Sequence, residues 1–385
     1  MDIGRTSRYL ATLMAAAVVA ASLTATARAA DNNKAAGPDP QTFEKVVTQA
    51  VEYLRTKGQA EDGSYSKQTG PAVTALVTAA VLRNGRSTSD PMVANSLKFL
   101  ETFVQPDGGI YAKESTHTNY ETCLSILAFS EANKSGKYDK LLANAEKYVK
   151  GLQWDGSEGH DESSPNFGGA GYGGHKRPDL SNTQFLLDAL KATGNGPDDE
   201  AVKKALIFVS RCQNLETEAN TTPFAAKVND GGFYYTPAAG GTSQSGETEN
   251  GGLRSYASMT YAGLKSMIFA GVDADDPRVK AAFEWCQKHY DLDSNPGMGE
   301  NGLLYYYNTF AKALGTMGVE TITDAEGKQH DWRRELVEEL ASRQQPDGSF
   351  VNDTKRWLEG DPNLVTGYAL MALSYCRPQE KTAAK

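Results

Sequence analysis

The chain has 385 residues, 39% of them hydrophobic and 23% charged, with a formal net charge of −9. Such a composition is that of a globular protein and excludes a disordered or collagen-like chain, and a mean hydropathy of −0.50 excludes a multi-span membrane protein. Four cysteines are too few for a disulfide-built scaffold, and the acidic balance lacks the basic footprint of a general nucleic-acid binder.

Residues 1–29 read as a secretory signal peptide. Arg5 and Arg8 form a basic start, Leu10 to Leu23 an uncharged apolar run, and Ala27-Arg28-Ala29 a small-x-small cleavage pattern. Cleavage would remove three bases and one acid, taking the net charge to −11. The reading implies an exported protein, periplasmic or extracellular, without an integral span after processing. Residues 30–40 and 378–385 read as loose ends around one domain at 41–377.

Within that domain the main signal is repetition. Thr74, Thr122, Thr183, Thr260, Thr309 and Thr366 share a register, each followed six residues later by Ala80, Ala128, Ala189, Ser266, Gly315 or Ala372. Each threonine lies in an apolar, charge-poor helical pattern, as in Thr366-Gly-Tyr-Ala-Leu-Met-Ala-Leu373. An amphipathic pattern precedes each one, with four starts marked by Asp90-Pro91, Asp198-Asp199, Asp275-Asp276-Pro277 and Asp331. Asp-Gly turns end several amphipathic segments: Asp62-Gly63, Asp107-Gly108, Asp155-Gly156, Asp230-Gly231 and Asp347-Gly348. Helices without charge must be buried on most sides. Six hairpins are therefore expected to close into an all-α, single (α/α)6 toroid, with amphipathic helices outside and charge-poor ones inside. Cys123, Cys212, Cys286 and Cys376 fall in the apolar patterns and read as buried free thiols.

Gln59-Ala-Glu-Asp62-Gly63-Ser64-Tyr65 and Gln344-Gln-Pro-Asp347-Gly348-Ser349-Phe350 resemble the Q-x-x-D-G-x-W repeat of squalene–hopene cyclases and protein prenyltransferase β subunits, and Asp230-Gly-Gly-Phe233 is a partial copy. The resemblance spans roughly 41–377 and points to the exported bacterial prenyltransferase/squalene-oxidase-repeat proteins. It implies a toroid with a central cavity and an isoprenoid-like ligand. The family's cyclases use a D-x-D-D acid, and Asp273-Ala-Asp-Asp276 matches it in letters, but its place before Pro277 marks a helix cap. The zinc ligands of prenyltransferases have no match. No metal and no cofactor is expected, since Cys/His clusters and a P-loop are absent from the sequence.

In a ring of hairpins, the loops leading into the inner helices gather at one end, where helix N-termini carry free N–H groups. Those loops hold His175, Arg177 and Asp179, then Arg254 and Tyr256, then Tyr305-Tyr306-Tyr307, then Trp357 and Asp361. His175, Asp179, Tyr256 and Asp361 are the candidates for acid–base chemistry. Arg177, Arg254, Tyr261, Tyr306, Trp357 and Tyr368 are the candidates for ligand binding, through charge or ring stacking. Three functions compete: a cavity for a small apolar, isoprenoid-like molecule; a glycan-binding or glycan-cleaving, lyase-like toroid; and a non-catalytic scaffold for a protein partner. A carbon-walled cavity favours the first, convergent carboxylates or arginines in an open groove the second, and a plugged ring the third.

Overall fold

The computed structural model describes residues 37–173 and 177–378. The signal segment and His175 lie outside the described residues.

Twelve long helices are present among the described residues. The odd-numbered ones are α1 (Pro40–Tyr53), α3 (Pro91–Glu101), α5 (Asp139–Lys150), α7 (Glu200–Arg211), α9 (Pro277–Lys288) and α11 (Trp332–Arg343). The even-numbered ones are α2 (Ala72–Arg83), α4 (Thr118–Ala132), α6 (Leu180–Ala192), α8 (Ala257–Phe269), α10 (Leu303–Met317) and α12 (Pro362–Leu373). A two-residue antiparallel ladder, β1 (Ile322–Thr323) with β2 (Gln329–His330), joins α10 to α11.

Five of the odd helices begin at an aspartate whose carboxylate accepts a first-turn N–H: Asp39, Asp90, Asp199, Asp276 and Asp331. Their apolar stripes face inward. The even helices are buried almost all round; ten of the twelve residues of α2 and ten of the twelve of α12 are buried. Each even helix packs on its two even neighbours, and α12 packs on α2, so the inner ring is closed. Outside it, α11 meets α1. The fold is thus an all-α toroid of six hairpins, as the charge-poor patterns predict. All four cysteines are buried free thiols.

The repeated residues hold the ring together in two ways. Thr74, Thr122, Thr183, Thr260 and Thr366 each accept, through Oγ1, the backbone N–H of the loop residue two beyond the turn glycine: Tyr65, Ile110, Ala170, Phe233 and Phe350, at 2.9–3.0 Å. Thr309 departs, donating instead to the Tyr306 carbonyl. A second device links neighbouring hairpins. The Nε2 of Gln59, Gln153, Gln213 and Gln344 donates to a carbonyl of the next outer helix: Met92, Ala201, Arg278 and, across the closure, Val46. The turn glycines Gly63, Gly168, Gly231 and Gly348 lie against the same helices, and Gly108 against α5, at φ of 81–93°, so close that a Cβ would overlap a backbone carbonyl.

This register corrects one sequence assignment. In the third repeat the turn glycine is Gly168. Asp155-Gly156 opens a single 3₁₀ turn inside an insertion, closed by a capping box between Asp155 and Glu158.

Candidate functional site

One end of the ring holds a cavity of about 870 Å³. The first turns of all six inner helices line it, contributing among others Ala72 and Val73, Tyr120, Asn182 and Phe185, Ser258 and Met259, Tyr305, and Leu364 and Tyr368. Loops supply Tyr172, Tyr235 and Tyr256 to the walls and Trp357 and Leu358 to the rim. The volume suits one small-molecule ligand.

The wall is mainly carbon, and its rings are ordered. Tyr120, Phe185, Tyr305 and Tyr368 come from α4, α6, α10 and α12. Ring centroids lie 5.1 Å apart for Tyr120–Phe185, 6.3 Å for Phe185–Tyr305 and 5.7 Å for Tyr305–Tyr368. The Tyr120 and Tyr368 hydroxyls, 3.1 Å apart, close the cycle. The Tyr120–Phe185 and Tyr305–Tyr368 contacts are edge-to-face and the Phe185–Tyr305 contact is tilted, and such contacts stabilise a ring cluster beyond its area burial.

Four carboxylates around the cavity are committed to hydrogen bonds, while a fifth, Glu114, lines it as an exposed side chain. Glu359, on the rim loop, accepts the Tyr305 N–H at 2.9 Å and Asn352 Nδ2 at 2.6 Å, which caps α10 from a distance. Glu121 accepts Ala112 N–H and Ser115 Oγ. Asp179 caps α6 through the Asn182 N–H, and Asp361 caps α12 through Asn363 and Leu364. Burial pushes Glu359 up to about 7 and Asp179 up to about 6, and it raises Glu121 as well. Charge next to a helix N-terminus and donated N–H bonds offset part of that penalty.

These shifts fix a sign. A carboxyl whose folded value exceeds its unfolded one favours the fold when protonated, so stability grows as pH falls through the folded value. For Glu359, lowering the pH from about 8 to about 6.5 is expected to add about 1 kcal/mol, with Asp179 contributing further down. His289, half-buried and held below its usual value by burial, works against this as the pH falls into the ordinary histidine range. Denaturant unfolding at fixed ionic strength measures the slope; stability falling over that interval would show that the fold favours ionised Glu359.

The sequence candidates divide. Tyr256, Trp357 and Tyr368 line the cavity. Asp179 and Asp361 lie just behind its wall as helix caps rather than as free acids. Arg177 stands over the Tyr235 ring, 5.3 Å from its centroid, and outside the lining. Arg254 is exposed on its loop and donates to the Glu247 carbonyl. Tyr261 is fully buried against Tyr306 and Phe310, away from the cavity. In the tyrosine triplet, Tyr305 rather than Tyr306 reaches the cavity. One residue is about 100° of helical turn, and the Tyr306 hydroxyl is spent on the Asp291 carbonyl instead. Sequence reasoning passed over Tyr120, Phe185 and Tyr235. Asp276 caps α9 and pairs with Arg278 at 2.8 Å, at the end of the ring opposite the cavity.

At that opposite end the inner ring encloses charge. Asp188 of α6 accepts from Lys265 of α8 at 2.7 Å and from Lys312 of α10, all three buried. Burial opposes ionisation of Asp188, but the two ammonium groups outweigh it and hold the carboxyl at about 2. Burial in turn lowers Lys265 to about 8, against the pull of Asp188. The Gln184 side chain bridges this cluster to the cavity. Its Oε1 accepts from Lys265 at 2.7 Å, and its Nε2 faces the Tyr305 hydroxyl at 3.4 Å.

The fold and cavity together define an α/α toroid with an aromatic pocket at the N-terminal ends of its inner helices. No family model matches the sequence, and no curated protein matches it. Among solved structures, the chain is similar to the apo form of the type II terpene cyclase MstE from Scytonema, at 13% identity over 88% of this chain and 98% of that one, with a TM-score of 0.54. It is equally similar to a glycosyl hydrolase family 88 protein from Bacteroides vulgatus, at 11% identity over 87% and 98%, TM-score 0.53. A polysaccharide lyase matches at 10% identity over 87% and 97%, TM-score 0.50. At such identities the likeness is one of fold, and it is shared by cyclase and glycan-active toroids alike.

Proposed function

We propose that this protein is an exported toroid that binds a ligand with an apolar, isoprenoid-like body in its aromatic cavity. The closed cycle of Tyr120, Phe185, Tyr305 and Tyr368 carries this reading, because it offers a chain-shaped apolar molecule π-faces and edges from four helices at once. The fold, shared with a terpene cyclase and with glycan-active toroids alike, is compatible with it. The reading stops at binding: Glu359, Asp179 and Asp361 are occupied as helix caps, Glu121 holds the Ala112–Ser115 loop, and the remaining lining carboxylate, Glu114, is exposed to solvent. A lyase-like role would need an arginine facing the ligand to neutralise a uronate, and Arg177 and Arg254 stand outside the lining.

Two measurements test it. Native mass spectrometry of protein from its own host should show a co-purified lipid. Titration with farnesyl methyl ether, followed by intrinsic fluorescence, should saturate with Kd on the order of micromolar. Binding of a uronate oligosaccharide with none of the ether would reverse the assignment in favour of the glycan reading.

A further inference from the structure

The cavity wall is mainly apolar, and one of its polar patches lies where the first turn of α6 meets α10. Asn182 is 1% exposed and lines the cavity. Its Nδ2 donates to both oxygens of Asp179, at 3.1 and 2.9 Å, behind the wall. That fixes the amide: exchanging its two ends would set Oδ1 against a carboxylate. Asn182 Oδ1 therefore turns away from Asp179, and among the described residues it meets no donor. Among the described residues it is the one buried side-chain polar atom of the lining left in that condition. An orphaned buried acceptor is costly to the fold, and a ligand that answers it recovers the loss.

The neighbouring groups supply the opposite polarity. Ser181 Oγ and the Tyr305 hydroxyl are 3.0 Å apart. Two hydroxyls that share one hydrogen bond spend one proton and keep one to donate. The Gln184 amide, turned by Lys265, presents Nε2 to the Tyr305 oxygen, so that oxygen is already supplied with a donor and the spare proton of the pair is free for a ligand. The patch thus holds one unanswered acceptor and one unspent donor.

We propose that this patch is an alcohol subsite: the ligand carries a hydroxyl that donates to Asn182 Oδ1 and accepts from the Ser181–Tyr305 pair. The inference rests on the cavity reading above and adds to it the head-group chemistry. A single hydroxyl meets both needs. An ether oxygen meets only the second.

Farnesol and farnesyl methyl ether, titrated into the unaltered protein, test it. Farnesol is expected to bind at least about tenfold more tightly, on the scale of one hydrogen bond. In Asn182→Leu the preference should vanish. In Tyr305→Phe, which keeps the ring, both probes should weaken by a similar factor and the preference should persist. Should Asn182→Leu fail to fold, the wild-type ratio and Tyr305→Phe still decide. Equal affinity of the two probes for the wild-type protein overturns the alcohol subsite and leaves the cavity reading standing. Failure of both to bind overturns the cavity reading, and the subsite with it.

Discussion

Asp188→Leu is expected to cost about 3–5 kcal/mol of stability, because it strands two buried ammonium groups with no counter-charge. Lys265 and Lys312 are both held by this one carboxylate, inside a ring that admits little water. The cluster is not an efficient source of stability in itself, since desolvating three charges offsets most of their attraction. A triple variant, Asp188→Leu with Lys265→Met and Lys312→Leu, should therefore recover most of the loss. Equilibrium urea unfolding of the single and triple variants measures both. A single variant as stable as the wild type would show that Asp188 is not what holds the two lysines.

The second large effect is at the closure of the ring. Gly348 has φ +90°, and a Cβ there would lie 2.2 Å from the Gln49 carbonyl oxygen of α1. Four residues earlier, Gln344 bonds to Val46 of the same helix at 3.0 Å. Gly348→Ala must both strain the backbone and push the sixth hairpin off the first. We expect a loss of about 3 kcal/mol or more, of which the left-handed conformation alone accounts for about 1–2. Gly85→Ala isolates that part, since Gly85 has φ +86° with nothing within 4 Å of the added carbon. Thermal unfolding of the pair reads the difference. Equal losses would mean that contact with α1 contributes nothing to closure.

The ring was legible because its signals are local and repeat. An aspartate before a proline is a helix start wherever it occurs, and a helix without charge has nowhere to go but inside. The threonine column also marked a real bond, from Thr74 to the Tyr65 N–H and onward round the ring. The glutamine links at Gln153 and Gln213 were hidden because insertions part them from Gly168 and Gly231, which share their contacts. The cavity was less legible. A helix buried on every side does not declare which buried face looks down the axis, so Tyr120 and Phe185 carried no mark distinguishing them from Tyr261. Loop residues chosen for their chemistry, such as Arg254 and Asp361, turned out to serve their own loops and helix ends. Asn182 had no signal at all, because an unanswered acceptor exists only once its surroundings are in place.

Those same insertions have a consequence for how such a molecule changes over time. Residues 154–167 leave the ring after Gln153 and rejoin it at Gly168, and both anchor points bear on α7. Residues 214–230 do likewise between Gln213 and Gly231, on α9. Anything spliced between two such anchors lengthens a loop that lies outside the cavity lining, while every helix keeps its neighbours. Selection can therefore add surface at these two places without renegotiating how the chain folds, and a designer grafting a new segment at either position inherits the same freedom.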